Sequence, residues 1–550
     1  MNRRQFFRKN MAAAATLTVG HLAAQSHAVV PPDSRTSIDE ENLVPEYFNQ
    51  ADFASVSGLL KVGFAERDIT PAIGMQMAGD YVPTFVQGFH DACKVRAVVF
   101  EDGTKTVALV GVDVLAMPES VVRAARDKIV SQCGIPAEAV MIGAAHNHSG
   151  GPVGLVQPGE YDGASEFVRK LAYQESQVAD KDYLNRVARE IANAVHESYI
   201  NRAPACCGSA SGFEDKVAFT RQFHMSNGLT YTHPGQGNPD IVKPAGATDP
   251  QVGVLGVWSP QGRFLGCVVN YTCHATTNPG SGLDASANWI YYMEKVIRGA
   301  MGGNAVVVFL QGAAGNVTQV DNLSPYEYPE NTPWAEFVGG RVGAEVVKTL
   351  LTVVPGSFGP LETRSATLQI PRRAPSAAHV REAYGIVKQG QDPKDRRPWI
   401  FAKETVLLDY KIKTQPVVPV ELQAIQVGPT LFLANPAELF CQAGLDIKAG
   451  SHFPQTYVVS YANGAVGYVP TEDDFGPHGG GYESQLTSYS NLAITASSQI
   501  VKHTSELMSS LHPGPVPAPK KHLPFTRTPL NPGSLSPHPW SYGDVPPEVD

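Results

Sequence analysis

The sequence predicts one large α/β domain, and three observations predict it. Apolar β-rich runs and amphipathic helical runs intermix along most of the 550 residues, with no block of strands or helices alone. Hydrophobic residues make up 43% of the chain, enough for a large core without several domains. The 51 Gly and 43 Pro supply many loops, which suits a protein that builds a site from long connections. Net charge is -9, and the body holds no clustered Lys/Arg stretch, so nucleic acid is excluded as an expected partner.

The elements follow in order. Residues 29–58 are mixed and polar and read as a linker, and strand-like runs begin at Leu59. "ACKVRAVVFEDGTKTVALVGVDVLAM" is a hairpin turning at Asp102-Gly103. "SVVRAARDKIVSQCG" is an amphipathic helix stopped by Gly134. "AVMIGAAH" is a buried strand delivering His146. In "DYLNRVAREIANAVHESY", Tyr183, Val187, Ile191 and Val195 fall four apart and define one apolar helical face. "VGVLGVW", "FLGCVVNYTCH" and "NAVVVFLQG" are strands, and a helix is expected over about 334–352. "VELQAIQVGPTLFLANPAEL" is a second hairpin, turning at Gly428-Pro429, and "QTYVVSYANGAVGYVPT" is a last strand and loop. No internal repeat is visible. Residues 512–550 form a Pro-rich tail not expected to fold as a domain.

The chemistry collects at strand ends. In an extended segment residues i and i+2 point the same way, so His146 and His148 of "AAHNHSGGP" reach one space. Neutral imidazole suits Zn²⁺. An isolated His-x-His is a weak signal, but His274 closes another apolar run, "GCVVNYTCH", in the same manner. Glu438 follows a strand and an Asn-Pro turn, and Tyr468 lies in a Gly-rich loop. A barrel amidohydrolase is disfavoured, because it would want further strand-end His and Asp residues. A serine hydrolase is disfavoured for want of any G-x-S-x-G.

"AAHNHSGGP", "VNYTCHATT", "FLQGAAGNV", "NPAEL" and "GYVPTEDDF…GGGYES", in this order, resemble the neutral/alkaline non-lysosomal ceramidase family of zinc amidohydrolases from about Val62 to Leu511. The resemblance implies two central β-sheets flanked by helices, in a catalytic domain over residues 59–511. It implies one Zn²⁺ per chain on His146, His274, Glu438 and Tyr468, with His148 handling protons beside it. Tyr482 and Arg221 then match groups at the reacting carbonyl, and Thr318 matches a hydroxyl residue of the site. The expected substrate is a small-molecule or lipid amide, with transient membrane-surface contact. Two departures stand out. The family's Gly-Asp-Val-Ser-Pro reads Gly315-Asn316-Val317-Thr318-Gln319 here, and its C-terminal immunoglobulin-like domain corresponds only to the Pro-rich tail. Two other readings therefore stay open: a zinc hydrolase of a polar or glycan substrate, motivated by the polar stretch "LVQPGEYDGASEFVRKLAYQES", and a degenerate binding protein.

Residues 1–28 read as an export signal. Arg3-Arg4 precede Phe6-Phe7, the Ala-rich stretch Met11–Ala24 is too short and too weakly apolar to anchor, and cleavage is expected after Ala28. This predicts a periplasmic or secreted protein sent through the twin-arginine route, with no membrane span in the mature chain. Seven Cys with no regular spacing predict buried thiols rather than a disulfide framework.

Overall fold

A computed structural model describes residues 60–519. The predicted export signal, the linker and the end of the Pro-rich tail lie outside the described residues. The first strands follow the hydrophobic pattern closely. β1 (Leu60–Asp68), β2 (Lys94–Glu101), β3 (Thr106–Val112) and β4 (Val140–Ala144) are joined by β5 (Ala203–Phe213), β6 (Gln251–Trp258), β7 (Phe264–Tyr271) and β8 (Val306–Gln311). They form one eight-stranded mixed sheet in the order β8-β7-β6-β5-β1-β2-β3-β4. A second sheet, four-stranded, runs β9 (Leu361–Pro371), β10 (Val417–Val427), β11 (Thr430–Ala434), β12 (Gln455–Val459).

The sheets share one core. Ile425, Phe432, Tyr457 and Val459 of the second sheet pack with Val98, Leu109 and Leu310 of the first. The Asn270 side-chain amide ties them, donating to the carbonyls of Leu310 and Val458 at 2.9 Å. Helices flank the sheets: α1 (Glu119–Cys133), α2 (Glu166–Tyr173), α3 (Lys181–Ile200), α4 (Trp289–Met301), α5 (Asn331–Leu350), α6 (Ala377–Gln389), α7 (Arg397–Thr414), α8 (Cys441–Ala449) and α9 (Ala496–Ser509). α1 stops where the sequence says, at Gly134 in the left-handed conformation (φ 69°). α3 buries Tyr183, Val187, Ile191 and Val195, the predicted stripe.

One unit recurs three times: a hairpin, a helix, and a strand returning parallel to the second hairpin strand. It is built by β2–β3–α1–β4, by β6–β7–α4–β8, and by β10–β11–α8–β12. The recurrence is invisible as sequence identity, and no repeat was expected. Each returning strand is followed by a buried asparagine, namely Asn147, Asn316 or Asn463. Each uses its side chain to satisfy backbone groups: Asn147 at Ser286 and Ser149, Asn316 at Cys441, and Asn463 at Ile142. This fixes the loops that leave the strand ends, where the site is assembled.

The α6–α7 pair is not predicted by periodicity. The buried residues of α7 run continuously from Ala402 to Leu408 rather than along one stripe. Among them Lys403 is fully buried, donating to the carbonyls of Tyr81 and Glu175 and to Ser176 Oγ. The start of the Pro-rich tail is docked: Gly514 N–H donates to the Gly428 carbonyl, and His512 offers its carbonyl to Gln426. All seven Cys are free thiols, and Cys133 alone among them is partly exposed. No described helix is long and apolar enough to cross a membrane.

Candidate active site

Three strand ends converge. β4 runs out into His146 and His148, β7 into His274, and β11 into Glu438. His146 and His274 are each 1% exposed, and Glu438 is 2%. Each buried ring is fixed by its rear nitrogen: His146 Nδ1 lies 2.9 Å from the Leu115 carbonyl, and His274 Nδ1 lies 2.9 Å from the Val317 carbonyl. A carbonyl only accepts, so both Nδ1 atoms carry the proton and both Nε2 lone pairs face inward. There His146 Nε2 is 3.0 Å from His274 Nε2 and 3.1 Å from Glu438 Oε2, and His274 Nε2 is 3.6 Å from the same oxygen. Acceptors this close repel one another unless a cation or a proton lies among them. The donor set of two neutral imidazoles and a carboxylate is one that zinc takes.

His148 joins the cluster. Its Nε2 is 3.3 Å from His146 Nε2, and one ring nitrogen from each of His146, His148 and His274 can be chosen with all three within 4.8 Å of one another. Its ring packs against Gly79. Burial, then the neighbouring His146 and Arg221, holds His148 well below the usual imidazole range. Burial does the same to His274, helped by Arg221, His146 and His148. Gly79 is required here. It sits at φ 116°, and a Cβ would lie 2.4 Å from His148 Nδ1.

The aromatic wall is larger than the sequence suggested. Tyr468 and Tyr482 are joined, hydroxyl to hydroxyl, at 2.8 Å. Burial pushes both phenols well above their ordinary value, so both keep their protons near neutrality. The Arg221 guanidinium lies 5.3 Å from the Tyr468 ring centre and 5.1 Å from that of Tyr482. Its Nε donates to Glu483 at 2.8 Å and its Nη2 to the Gly315 carbonyl at 2.5 Å. Arg221 is therefore a buried, paired cation that acts on the site through its field rather than by reaching into it.

Two tyrosines escaped the sequence reading. Tyr461 stacks on His146 with ring centres 4.1 Å apart, and its hydroxyl lies 3.5 Å from Glu438 Oε2. Tyr489 lines the same recess, beside Glu438. His146 (φ 55°) and Tyr461 (φ 57°) both hold left-handed backbone, unusual for such side chains and often found at functional sites. The one signal available was positional: Tyr461 follows a returning strand as His146 does.

The recess has a volume of about 80 Å³ and is lined by His146, His148, Glu438, Tyr468, Tyr482 and Tyr489, with Tyr81 and Leu155 at its sides. Thr318 is not among the residues lining it. Its hydroxyl lies 3.0 Å from the Gln319 side-chain amide, one residue beyond the carbonyl that holds His274. Asn316 is likewise structural: its Oδ1 accepts from the Cys441 N–H at the start of α8, and its Nδ2 donates to Gln222.

No family model matches the chain, and no curated protein matches it by sequence. Solved structures do match its fold, two ceramidases among them. One is the neutral ceramidase from Pseudomonas aeruginosa, with a TM-score of 0.61 and 18% identity over 84% of this chain and 76% of that one. The other is a ceramidase complexed with C2, with the same score and identity and 77% of its chain covered. The two-sheet core and its flanking helices thus share the fold of neutral ceramidase, at 18% sequence identity.

Proposed function

We propose that the protein hydrolyses an amide bond at a single zinc ion held by His146, His274, Glu438 and Tyr468. The observation that carries this reading is the facing of two Nδ1-anchored imidazoles and one carboxylate across 3.0 to 3.6 Å. Zinc in such a site supplies Lewis acidity, polarising a carbonyl and making water nucleophilic near neutral pH.

The side chains around it do the rest. His148, neutral and oriented by Gly79, takes the proton released as water attacks and delivers it to the leaving amine. Tyr482, protonated at neutral pH, donates to the oxygen on which negative charge develops. Arg221 keeps that charge favourable and holds the two phenols in place. Tyr461, whose hydroxyl lies 3.5 Å from Glu438 Oε2, helps fix that carboxylate, the kind of partner a metal ligand needs. Thr318 supports the His274 strand and is no nucleophile, because no base lies beside it. The approach of His146, His274 and Glu438 to within 3.0 to 3.6 Å of one another supports this over a degenerate binding protein. Export through the twin-arginine route belongs to the same proposal and rests on residues 1–28 alone.

Chelator-stripped protein reloaded with zinc should hold one equivalent, and hydrolysis of N-acyl amines should return with it. His146→Ala should lose metal and activity together. His148→Ala should keep the metal and lose turnover by roughly 10²- to 10⁴-fold. Two tightly held equivalents, or full turnover without metal, would rule the reading out.

A further inference from the structure

The recess opens beside a second, larger cleft of about 330 Å³. The two share a wall along three chain segments. Leu115 lines the recess and Ala116 the cleft. Leu155 lines both, with Gly154 continuing into the cleft. Tyr489 lines both, with Ser488 continuing likewise. The cleft is thus within reach of one half of a substrate whose amide sits at the histidines.

Charged and polar side chains line the cleft beside apolar ones. The stretch after the His-x-His motif, polar in sequence, sends Gln157 and Glu160 into it. Glu160 is neutralised by Lys411, 2.6 Å away. Glu421 is neutralised by Arg126 at 2.9 Å and also accepts from Asn463. Glu119 faces Arg123 at the exposed rim. Arg372 differs. Its Nε and Nη2 donate to the carbonyl and the side-chain oxygen of Gln415, and its Nη1 donates to the Asn491 side-chain oxygen. All three acceptors are neutral, and no carboxylate lies within ion-pair distance of it among the described residues. A guanidinium has five N–H groups, so one hydrogen remains on each terminal nitrogen and can donate to a carboxylate. Burial also pulls Arg372 below its ordinary value, an effect that the nearby charge of Glu160 offsets only in part. Gln157 Oε1 is buried with no partner and can accept from a donor on the ligand.

We infer that this cleft seats a carboxylate-bearing half of the substrate, with Arg372 as its anion partner, so that the enzyme cleaves acidic amides rather than ceramide. The inference rests on the amide-hydrolase reading and deepens it. A hydrocarbon chain laid here would strip water from Glu160, Lys411 and Arg372 without replacing it, which opposes binding.

Two matched pairs of substrates test this on the zinc-loaded protein. An N-acyl amino acid is set against the N-acyl amino alcohol in which hydroxymethyl replaces its carboxylate. A monoamide of a dicarboxylic acid is set against its ω-hydroxy counterpart. The first pair places the acid on the amine side of the scissile bond, and the second places it on the acyl side. The acid should be preferred in kcat/KM in at least one pair. Arg372→Gln should cut that preference roughly tenfold or more, through KM rather than kcat, because the contact is equal in ground and transition states. Arg372→Lys should retain part of it, charge without the fork. Turnover of the alcohols by each variant reports whether the fold survives. No acid preference in either pair, or a preference untouched in Arg372→Gln, overturns the inference. If wild type cleaves none of the four compounds, the hydrolase reading fails instead. Calorimetric binding then still decides the cleft: tighter binding of an acid than of its alcohol, lost in Arg372→Gln, supports it, and equal binding refutes it.

Discussion

Replacing Gly79 by Ala should separate the proton carrier from the metal ligands. The new Cβ would lie 2.4 Å from His148 Nδ1 and 2.9 Å from its Cγ. Ordinary carbon contacts lie at about 3.5 Å or more, so the ring must retreat by about 1 Å. The backbone at φ 116° adds strain of about 1–3 kcal/mol, tolerable against a total stability of about 5–15 kcal/mol. His146, His274 and Glu438 do not touch Gly79, and their anchoring carbonyls come from Leu115 and Val317. Zinc content should therefore stay near one equivalent. A misplacement of about 1 Å can cost 10²-fold in rate, and kcat should fall by about that factor. Elemental analysis beside steady-state kinetics on an N-acyl amine makes the measurement, with urea unfolding as the stability control. Wild-type kcat with full zinc would remove His148 from the chemistry. Loss of zinc would make His148 a ligand and the assignment of Tyr468 wrong.

Three further outcomes are expected. Thr318→Val should cost about 1–3 kcal/mol of stability through the lost hydrogen bond to Gln319 while keeping zinc and most activity, measured by denaturant unfolding and turnover; a trapped acyl-Thr318 adduct in mass spectrometry would overturn this. Metal-free protein should lose stability as pH falls below about 6.5, because His148 and His274, whose folded values burial depresses, refuse protons that the unfolded chain binds. Each ring contributes about 1.4 kcal/mol per pH unit while it stays neutral. Burial raises Asp113 to about 6, so that carboxyl opposes the trend below pH 6; His274→Gln should flatten the slope by one ring's share, and an unchanged slope would show the ring to be ordinary. Finally, Arg3-Arg4→Lys-Lys should leave precursor in the cytoplasm, and a normal exported yield in cell fractions would point to the general secretory route instead.

What the sequence determined by itself was local. Strand and helix periodicity located the two hairpins, α1, α3 and the strands that end in His146 and His274, because alternation and four-residue spacing report which face of a segment is apolar. The His-x-His pair was legible because neighbours two apart on an extended segment must share a side. Periodicity failed at α7, where burial surrounds the helix and includes Lys403 and Glu404. It also failed at β9, an edge strand of mostly exposed and half-buried residues. Tertiary structure alone decided that three strand ends meet, because sequence spacing carries no information about which ends of two separate sheets converge. It decided that Tyr461 stacks on His146 and that Tyr489 lines the recess beside Glu438. It put the carbonyls of Leu115 and Val317 behind the two imidazoles, and thereby set which nitrogen faces inward. It also turned the polar stretch after the histidines into the wall of a charged cleft. The partners that pair its charges lie hundreds of residues away, at Arg126 with Glu421 and at Glu160 with Lys411, and only the fold brings them within reach.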